Sequence, residues 1–265
     1  MSIRTSPWPN GVPCWADVMA TDVRASGAFY SAVLGWTVPE PEEQWGGYVT
    51  AEVGGNVVAG IGPVQQGARA AWTLYLATDD AEGVVATASE HGGTVLGPVM
   101  DVADLGRMAI LTDPAGAVFG LWQAGTMIGA GLVNEPGGLV WEDLRSSDPD
   151  AARSFYGALF GYEQEAVEMA GPDYTVFRLP SEQAPLGGMG GMMGSPDGTP
   201  SHWLVYFAVA DADAAVAAAE AAGGSVLSPA KDTPFGRMAW LADPDGAAFT
   251  VMTVDPSAPT PDRSA

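Results

Sequence analysis

Two aspartates, each placed two positions after a tryptophan, are the clearest candidates for acid–base chemistry in this sequence. Asp17 follows Trp15, and Asp143 follows Trp141. Side chains two positions apart in a strand point to the same face, so each carboxyl group would lie beside an indole. Partly apolar surroundings raise the pKa of a carboxyl group and suit it to proton transfer. The alternative is that each carboxylate accepts hydrogen bonds from the backbone or the indole and holds its strand in place.

Other reactive side chains are few and form no recognised catalytic pattern. The single cysteine, Cys14, excludes an internal disulfide and is typical of a small buried apolar residue. The glycine-rich segment 187–194 contains Gly-x-Gly spacings, but neither a lysine nor a helix follows it, so it does not predict a phosphate loop. The sequence has no Gly-x-Ser-x-Gly elbow either. A nucleophilic triad is therefore not indicated.

The elements that would position these aspartates occur twice. Trp15 and Trp141 are 126 positions apart (141 − 15), and the same offset relates Gly35 to Gly161 (161 − 35). Asp22, which can cap a helix, corresponds in the same way to Asp148, and both predicted helices contain a Phe-Tyr pair. The strand, turn and helix around each aspartate are therefore two copies of one unit.

Hydrophobic periodicity and turn residues predict the order β-α-β-β-β twice in each half. In the first half the predicted helices cover 22–33 and 79–90, and the predicted strands cover 13–21, 48–53, 57–63, 71–78, 94–98, 106–112 and 117–123. In the second half the helices cover 150–160 and 211–222, and the strands 139–145, 174–179, 184–192, 203–209, 237–242 and 247–253. Each half is thus itself a duplication of one small module.

Length and composition agree with two domains and restrict the partners. The 265 residues suggest an extended arm (1–10), a first domain (11–124), a glycine-rich linker (125–136), a second domain (137–253) and a polar, proline-rich tail (254–265) too poor in apolar residues to fold. A net charge of −22 disfavours nucleic acid and anionic membrane surfaces, which attract clustered Lys and Arg. With neither an apolar signal core nor a membrane-span-length apolar run, the sequence predicts a cytoplasmic location.

The combination strand–Asp–helix–Phe-Tyr-x-x-x-Leu/Phe-Gly, then helix–Gly-Gly and Asp-Pro-x-Gly–strand, resembles the vicinal oxygen chelate superfamily. This superfamily includes glyoxalase I, bleomycin-resistance proteins and extradiol dioxygenases. The resemblance covers residues 11–124 and 137–253 as two tandem domains. It implies an α+β fold in which each domain joins two β-α-β-β-β modules into an open, barrel-like sheet of eight strands around a cavity.

The resemblance also implies positions for metal ligands, and this sequence does not fill them. The position on the first strand holds Trp15 or Trp141, the position on the first strand of the second module holds Thr73 or Leu204, and the position after the Asp-Pro turn holds Gly120 or Thr250. The fourth position falls in 58–61 or 187–190, where there is no His, Asp or Glu. A shift of two residues would bring His202 to one position, but its partner ligands would still be missing. We therefore expect no metal and no other cofactor, which argues against glyoxalase I or extradiol dioxygenase activity.

Tryptophans stand at the first ligand position, and further aromatic and methionine side chains fall on strands or loops expected to edge the two cavities. They predict an apolar slot for a small molecule in at least one domain. The alternative is that these side chains fill the barrels completely. The expected ligand-binding residues are Trp15, Thr73, Tyr75, Trp122, Trp141, Met189, His202, Leu204, Tyr206, Phe235, Thr250 and Met252.

Three functions fit these residues. The first is a metal-independent protein that binds a small aromatic natural product, for sequestration, resistance or transport, with the acidic balance suiting a neutral or cationic ligand. The second is a metal-free enzyme of secondary metabolism, an isomerase, a cyclase or an aid to hydroxylation, that uses Asp17 or Asp143 as general base. The third is a scaffold with closed barrels. Either a monomer or a homodimer is compatible with each.

Overall fold

The computed structural model describes residues 3–171 and 173–254, and it contains two sheets of eight strands. In the first sheet β2, β3, β1, β4, β8, β7 and β5 follow one another, and β6 pairs with β7. These strands are β1 (Pro13–Ala20), β2 (Val49–Val53), β3 (Asn56–Pro63), β4 (Ala71–Ala77), β5 (Thr94–Val95), β6 (Met100–Val102), β7 (Gly106–Thr112) and β8 (Val118–Ala124). We call this part of the chain the N-terminal domain.

The second sheet repeats this arrangement in the order β10, β11, β12, β9, β13, β16, β15 and β14. Its strands are β9 (Leu139–Arg145), β10 (Glu163–Ala166), β11 (Tyr174–Arg178), β12 (Gly187–Gly190), β13 (His202–Val209), β14 (Ser225–Thr233), β15 (Gly236–Ala242) and β16 (Ala248–Thr253). We call it the C-terminal domain. The expected α+β class, with two curled eight-stranded sheets, is confirmed.

Each domain has two helices, and an aspartate precedes each of them. The helices are α1 (Val23–Leu34), α2 (Ala81–Glu90), α3 (Pro149–Phe160) and α4 (Ala212–Ala221). Asp22 accepts hydrogen bonds from the backbone N–H groups of Arg24 and Ala25, which satisfies donors that a helix start leaves unpaired. Gly35 ends α1 at φ 72°, in the left-handed conformation that glycine adopts without a steric penalty.

The two sheets share one core, because the helices of one domain pack against the other domain. Helix α1 contacts α4, α2 contacts α3, and strand β4 contacts β13. The hydroxyl of Tyr30 donates to Asp243 Oδ2 at 3.0 Å across this contact, and Trp203 Nε1 donates to Tyr156 at 2.9 Å within the C-terminal domain. The ring of Phe29 lies edge-on to Phe249 of the other domain. The repeated Phe-Tyr pair therefore packs in the interface between the two domains.

The core fixes which face of each central strand is left for a site. In β1 the side chains of Ala16 and Val18 are fully buried in the shared core. Since side chains alternate along a strand, Trp15 and Asp17 lie on the opposite face.

Sequence reasoning did not identify β6, β10 and β14. The last of these is a nine-residue edge strand with alternating exposure, and Pro229 lies in its interior. An edge strand tolerates proline because one row of its backbone groups has no partner strand to bond.

The predicted arm and linker run together along the N-terminal sheet. The backbone N–H of Ala130 donates to the carbonyl oxygen of Cys14 at 2.7 Å, and that of Arg4 donates to Gly131 at 2.9 Å. Trp8 is buried beside them and donates to the Ala130 carbonyl oxygen. The predicted tail lies, apart from Val254, outside the described residues. None of the helices formed by residues 3–171 and 173–254 is both long and apolar enough to span a bilayer.

Candidate functional site

Each domain carries a buried aspartate that is hydrogen-bonded by two tyrosines. In the N-terminal domain the hydroxyls of Tyr75 and Tyr48 donate to Asp17 Oδ2 at 3.0 and 3.2 Å. Trp15 Nε1 donates to the Tyr48 hydroxyl at 3.1 Å. The other carboxyl oxygen, Asp17 Oδ1, is buried and has no hydrogen-bond partner in the described part of the chain.

These surroundings disfavour the charged form of Asp17. Burial raises the pKa of Asp17 from its ordinary value of 3.8 to about 7, although the hydrogen bonds from Tyr75 and Tyr48 act in the opposite direction. The Asp17 carboxyl group is therefore partly protonated near neutral pH.

The equivalent aspartate of the C-terminal domain also accepts from two tyrosines, and it has a tryptophan and an arginine as further direct partners. The hydroxyls of Tyr174 and Tyr206 both donate to Asp143 at 2.6 Å, and Trp141 Nε1 donates to it at 2.9 Å. In addition, Arg145 Nη2 lies 2.8 Å from Asp143 Oδ2, and both side chains are largely buried. All five side chains line one cavity.

Glycines on the neighbouring parallel strands make room for the tyrosine hydroxyls. Gly60 lies opposite Asp17 in the register of β1 and β3, and Gly188 lies opposite Asp143 in that of β9 and β12. A Cβ atom at Gly60 would lie 1.8 Å from the Tyr48 hydroxyl, and one at Gly188 would lie 1.8 Å from the Tyr174 hydroxyl. The glycine-rich strand of each half is thus a requirement of the aspartate–tyrosine contact.

The cavity of the C-terminal domain has a volume of about 790 Å³, which is within the range of small-molecule sites. Its wall is mainly apolar, with Trp141, Tyr206, Met238 and Met252 among the lining residues. Met169, Met193 and Phe235 also line it and are themselves exposed, so they form an apolar rim. The site can therefore enclose an apolar molecule and present it to a small polar group.

Charged residues line the same cavity in equal numbers of each sign. The acidic residues are Asp143, Glu163 and Glu165, and the basic residues are Arg145, Arg178 and Lys231. Arg178 forms ion pairs with Glu163 at 2.8 Å and with Glu165 at 3.3 Å. The cavity is therefore close to neutral, although the chain as a whole carries a net charge of −22.

The structure brings part of the predicted site together. Trp141, Tyr206, Phe235, Met252 and the predicted base Asp143 line the C-terminal cavity. The remaining predicted residues of this domain, Met189, His202, Leu204 and Thr250, lie outside the cavity lining. Met189, Leu204 and Thr250 are buried, and His202 Nδ1 lies 2.9 Å from the Pro200 carbonyl oxygen.

The predicted N-terminal residues lie around Asp17 or near it. Trp15 and Tyr75 belong to its hydrogen-bonded cluster, and Thr73 is its register partner on β4. Trp122 is buried and donates from Nε1 to the carbonyl oxygen of Met127 at 2.9 Å. The segment predicted as a linker is thus bonded to a residue predicted to bind ligand.

Sequence reasoning missed three residues of the two clusters. Tyr48 and Tyr174 are 126 positions apart (174 − 48), and each lies 31 positions after its aspartate, so the internal repeat contains the signal. Arg145 follows Trp141 and Asp143 at alternating positions, which places it on the same strand face. Its counterpart in the first copy is Met19, so the repeat alone gave no reason to select it.

The residues at the implied metal positions do not fit a metal. Trp15, Trp141 and Leu204 offer no ligand atom, and Thr73 and Thr250 offer only neutral hydroxyls. A Cβ atom at Gly120 would lie 2.1 Å from the Tyr75 ring, so a carboxylate there would need that ring to move. Across residues 3–171 and 173–254, no three His, Cys, Asp or Glu side chains form a group that could hold a metal ion.

Comparisons with known proteins agree with this architecture. A family model described as the Glyoxalase/Bleomycin resistance protein/Dioxygenase superfamily matches residues 126–251, and one described as a glyoxalase-like domain matches residues 15–122. The putative glyoxylase CFP32 of Mycobacterium tuberculosis is 42% identical over 262 residues, which are 96% of this chain and 98% of that protein. The anthracycline biosynthesis protein DnrV of Streptomyces peucetius is 38% identical over 260 residues, 91% of this chain and 93% of that protein.

Solved structures share the fold at low identity. The Mn(II)-bound glyoxalase from Novosphingobium aromaticivorans superimposes with a TM-score of 0.65 at 16% identity, covering 93% of this chain and 84% of that chain. The 2,3-dioxygenase LapB from Pseudomonas sp. KL28 superimposes with a TM-score of 0.62 at 15% identity, covering 92% of this chain and 93% of that chain.

Proposed function

This chain belongs to the glyoxalase/bleomycin resistance protein/dioxygenase superfamily, and we propose that it binds a small aromatic natural product without a metal, in the cavity of its C-terminal domain. The observation that carries the proposal is the cavity of about 790 Å³ around Asp143, with Trp141 and Tyr206 in its wall. Planar rings stack on such side chains, and each good aromatic contact contributes about 0.5–1.5 kcal/mol beyond the area it buries.

Two further points support an aromatic ligand. DnrV and DauV, which are 38% and 37% identical to this chain, are anthracycline biosynthesis proteins, and anthracyclines contain a planar, fused aromatic ring system. The apolar rim formed by Met169, Met193 and Phe235 suits such a molecule, because methionine adapts to irregular apolar shapes. The ligand would enter past this rim and place a polar edge near Asp143.

A direct titration tests the proposal. The purified full chain is titrated with a hydroxyanthraquinone, and binding is followed by tryptophan fluorescence and by calorimetry. Phe235→Ala should weaken binding about 3- to 10-fold, because it removes one aromatic contact from an exposed rim position. Leu105→Ala is the matched control: both residues directly precede a Gly-Arg-Met sequence, and Leu105 belongs to the other domain.

Saturable binding to the wild type, weakened by Phe235→Ala and unchanged by Leu105→Ala, is the expected result. The proposal fails if a panel of planar aromatic compounds shows no saturable binding. It also fails if the ligand binds but both substitutions weaken it equally, since the cavity would then not be the site.

The second candidate function is a metal-free enzyme with an aspartate as general base. The raised pKa of Asp17, about 7, favours it, because a base works best when its pKa is near the working pH. Asp143 lies in the cavity, and its carboxylate already accepts hydrogen bonds from Tyr174, Tyr206, Trp141 and Arg145.

The two functions differ in what an aspartate substitution does to a bound compound. For a binding protein, Asp17→Asn leaves the dissociation constant nearly unchanged and no product forms with either variant or wild type. For an enzyme, wild type converts the bound compound, as detected by chromatography and mass spectrometry, and Asp17→Asn or Asp143→Asn abolishes the conversion. Near-ultraviolet circular dichroism verifies that each variant is folded.

A further inference from the structure

One nitrogen of the Arg145 guanidinium has no acceptor. Nη2 lies 2.8 Å from Asp143 Oδ2 and 3.5 Å from the Tyr206 hydroxyl, whereas Nη1 is buried and makes no hydrogen bond to any residue that the structure describes. A buried donor left without a partner costs about 1–3 kcal/mol, and more when the group is charged. Such a donor in the wall of a ligand cavity points to an acceptor that arrives with the ligand.

The other copy of the cluster indicates that this arginine is not needed to build it. In the N-terminal domain Met19 occupies the equivalent position, and Asp17, Tyr48, Tyr75 and Trp15 form a corresponding hydrogen-bonded cluster without an arginine. The Asp143 carboxylate and the nearby tyrosines raise the pKa of Arg145 even though its burial acts to lower it, so the guanidinium is fully charged. Arg145 therefore adds a function that is specific to the C-terminal cavity.

Three of the few basic residues of the chain line this cavity, although three acidic residues line it as well. The chain has 10 Lys and Arg residues in all and a single lysine, Lys231, and Lys231, Arg145 and Arg178 all line the cavity. Arg178 is neutralised by Glu163 and Glu165. Lys231 is exposed and forms no ion pair within residues 3–171 and 173–254. Arg145, whose buried Nη1 has no acceptor among the described residues, and Lys231 are thus the two lining cations that could serve a ligand.

We propose that the ligand is an aromatic molecule carrying an acidic oxygen, a carboxylate or a phenolate, and that this oxygen accepts a hydrogen bond from Arg145 Nη1. Lys231 adds a second positive charge at the cavity edge. The inference rests on the proposed function, and it narrows the ligand from an aromatic molecule to an acidic one. It also explains how a chain with a net charge of −22 accommodates an anion, because the charge that matters is local and the distant carboxylates are screened by salt.

Two probes of the same shape test the inference. Anthraquinone-2-carboxylate and its methyl ester differ in the charge at one edge, and their dissociation constants are measured by calorimetry with the full chain. A hydrogen bond between charged groups contributes about 1.5–3 kcal/mol, so wild type should bind the carboxylate about 10- to 100-fold more tightly than the ester. Arg145→Met should bring this ratio close to one and change the affinity for the ester less than about 3-fold.

Three further variants complete the experiment. Arg145→Lys keeps the charge but loses the fork of donors, and it should restore part of the preference for the carboxylate. The double variant Asp143→Asn/Arg145→Met removes both charges and so leaves no unpaired buried charge. It replaces Arg145→Met in the binding measurements if that single variant does not fold. Arg153→Met removes an arginine of the same domain that pairs with Asp150 and Asp173 outside the cavity lining, and it should leave the ratio unchanged.

The outcomes separate this inference from the proposed function. If the ester binds and the carboxylate does not, or if Arg145→Met leaves the ratio unchanged, the acidic ligand is wrong while aromatic binding stands. If neither probe binds wild type and the wider aromatic panel also fails, the proposed function falls and this inference falls with it.

Discussion

Each domain places two tyrosines and a tryptophan around a buried aspartate, and the C-terminal domain adds an arginine. Arg145 pairs with Asp143 at 2.8 Å in the C-terminal domain, and Met19 stands at the equivalent position beside Asp17. The consequence is electrostatic. Asp143 is balanced by a cation, whereas burial raises the pKa of Asp17 to about 7. The shared scaffold thus holds an ion pair in the C-terminal domain and a carboxyl group with a raised pKa in the N-terminal domain.

A second difference concerns access. Trp15 is 3% exposed and Trp122 is 6% exposed, and the segment from Met127 to Gly131 is bonded along the N-terminal sheet. In the C-terminal domain Trp141 is only partly buried, and Met252 replaces Trp122 at the wall of the cavity. A large ring in one domain and a narrower, flexible side chain in the other give the two copies different room for a ligand.

The largest expected effect comes from breaking the ion pair. Asp143→Asn leaves the Arg145 guanidinium buried without its carboxylate, and loss of one partner of a buried pair costs about 3–5 kcal/mol. Urea unfolding at pH 7 should therefore show a lower free energy of unfolding by about this amount. A change below about 1 kcal/mol would mean that Arg145 reaches solvent in solution, and the comparison between the domains would lose its basis.

The corresponding substitution in the N-terminal domain, Asp17→Asn, should instead raise the free energy of unfolding at high pH. The pKa of Asp17 rises from 3.8 in the unfolded chain to about 7 in the folded protein, which corresponds to about 4 kcal/mol of stability that is present below pH 4 and lost as the pH rises through 7. Asp17→Asn cannot ionise and avoids this loss. We expect the free energy of unfolding of the variant to exceed that of wild type by about 2 kcal/mol at pH 8 and by much less at pH 5.

The measurement is the free energy of unfolding of variant and wild type across pH 4 to 9, taken as a difference so that other titrations cancel. A difference that does not change with pH would contradict the raised pKa of Asp17.

The glycines beside the aspartates give a matched pair of intermediate size. Gly60→Ala and Gly188→Ala should each lower the free energy of unfolding by about 1–3 kcal/mol, because the new methyl group occupies the place of the Tyr48 or Tyr174 hydroxyl. Only Gly188→Ala should also weaken ligand binding, since Tyr174 lines the cavity. Equal losses of binding in both variants would mean that ligand contacts both domains.

The smallest effect tests the tyrosines themselves. Tyr48→Phe removes one hydrogen bond that lowers the pKa of Asp17, so this pKa should rise further, by about one unit for a bond worth about 1 kcal/mol. The carboxyl ¹³C resonance of Asp17 reports it directly. Tyr174→Phe is the control, because it removes the corresponding hydrogen bond in the other domain and should leave the titration of the Asp17 resonance as in wild type.

Much of the fold was predictable, because it depends on local patterns that occur more than once. Asp22, Gly35 and their repeats marked helix ends, and alternating apolar residues marked the central strands. The edge strand Ser225–Thr233 was missed because its alternation is interrupted by Pro229, which only an edge position tolerates.

The candidate site was predictable in part, and most directly where its members share a strand. Trp141 and Asp143 are two positions apart in one strand, so their common face followed from the period of the strand. Met189 and Leu204 were assigned to the site from expected positions on other strands, and the structure places them outside the cavity lining, in buried positions. Which of two strand faces lines a cavity depends on how the sheet curls and what packs behind it.

The sequence by itself therefore determined the duplication, the two curled sheets and the pairing of each aspartate with an indole, because these follow from short-range spacing. Only the tertiary structure decided that Tyr174 and Tyr206 meet Asp143, and that Arg145 in the cavity wall keeps a buried donor to which no described residue bonds. Those contacts join strands that are 31 and 63 positions apart in sequence. Their distances are set by sheet register and packing, which no local pattern encodes.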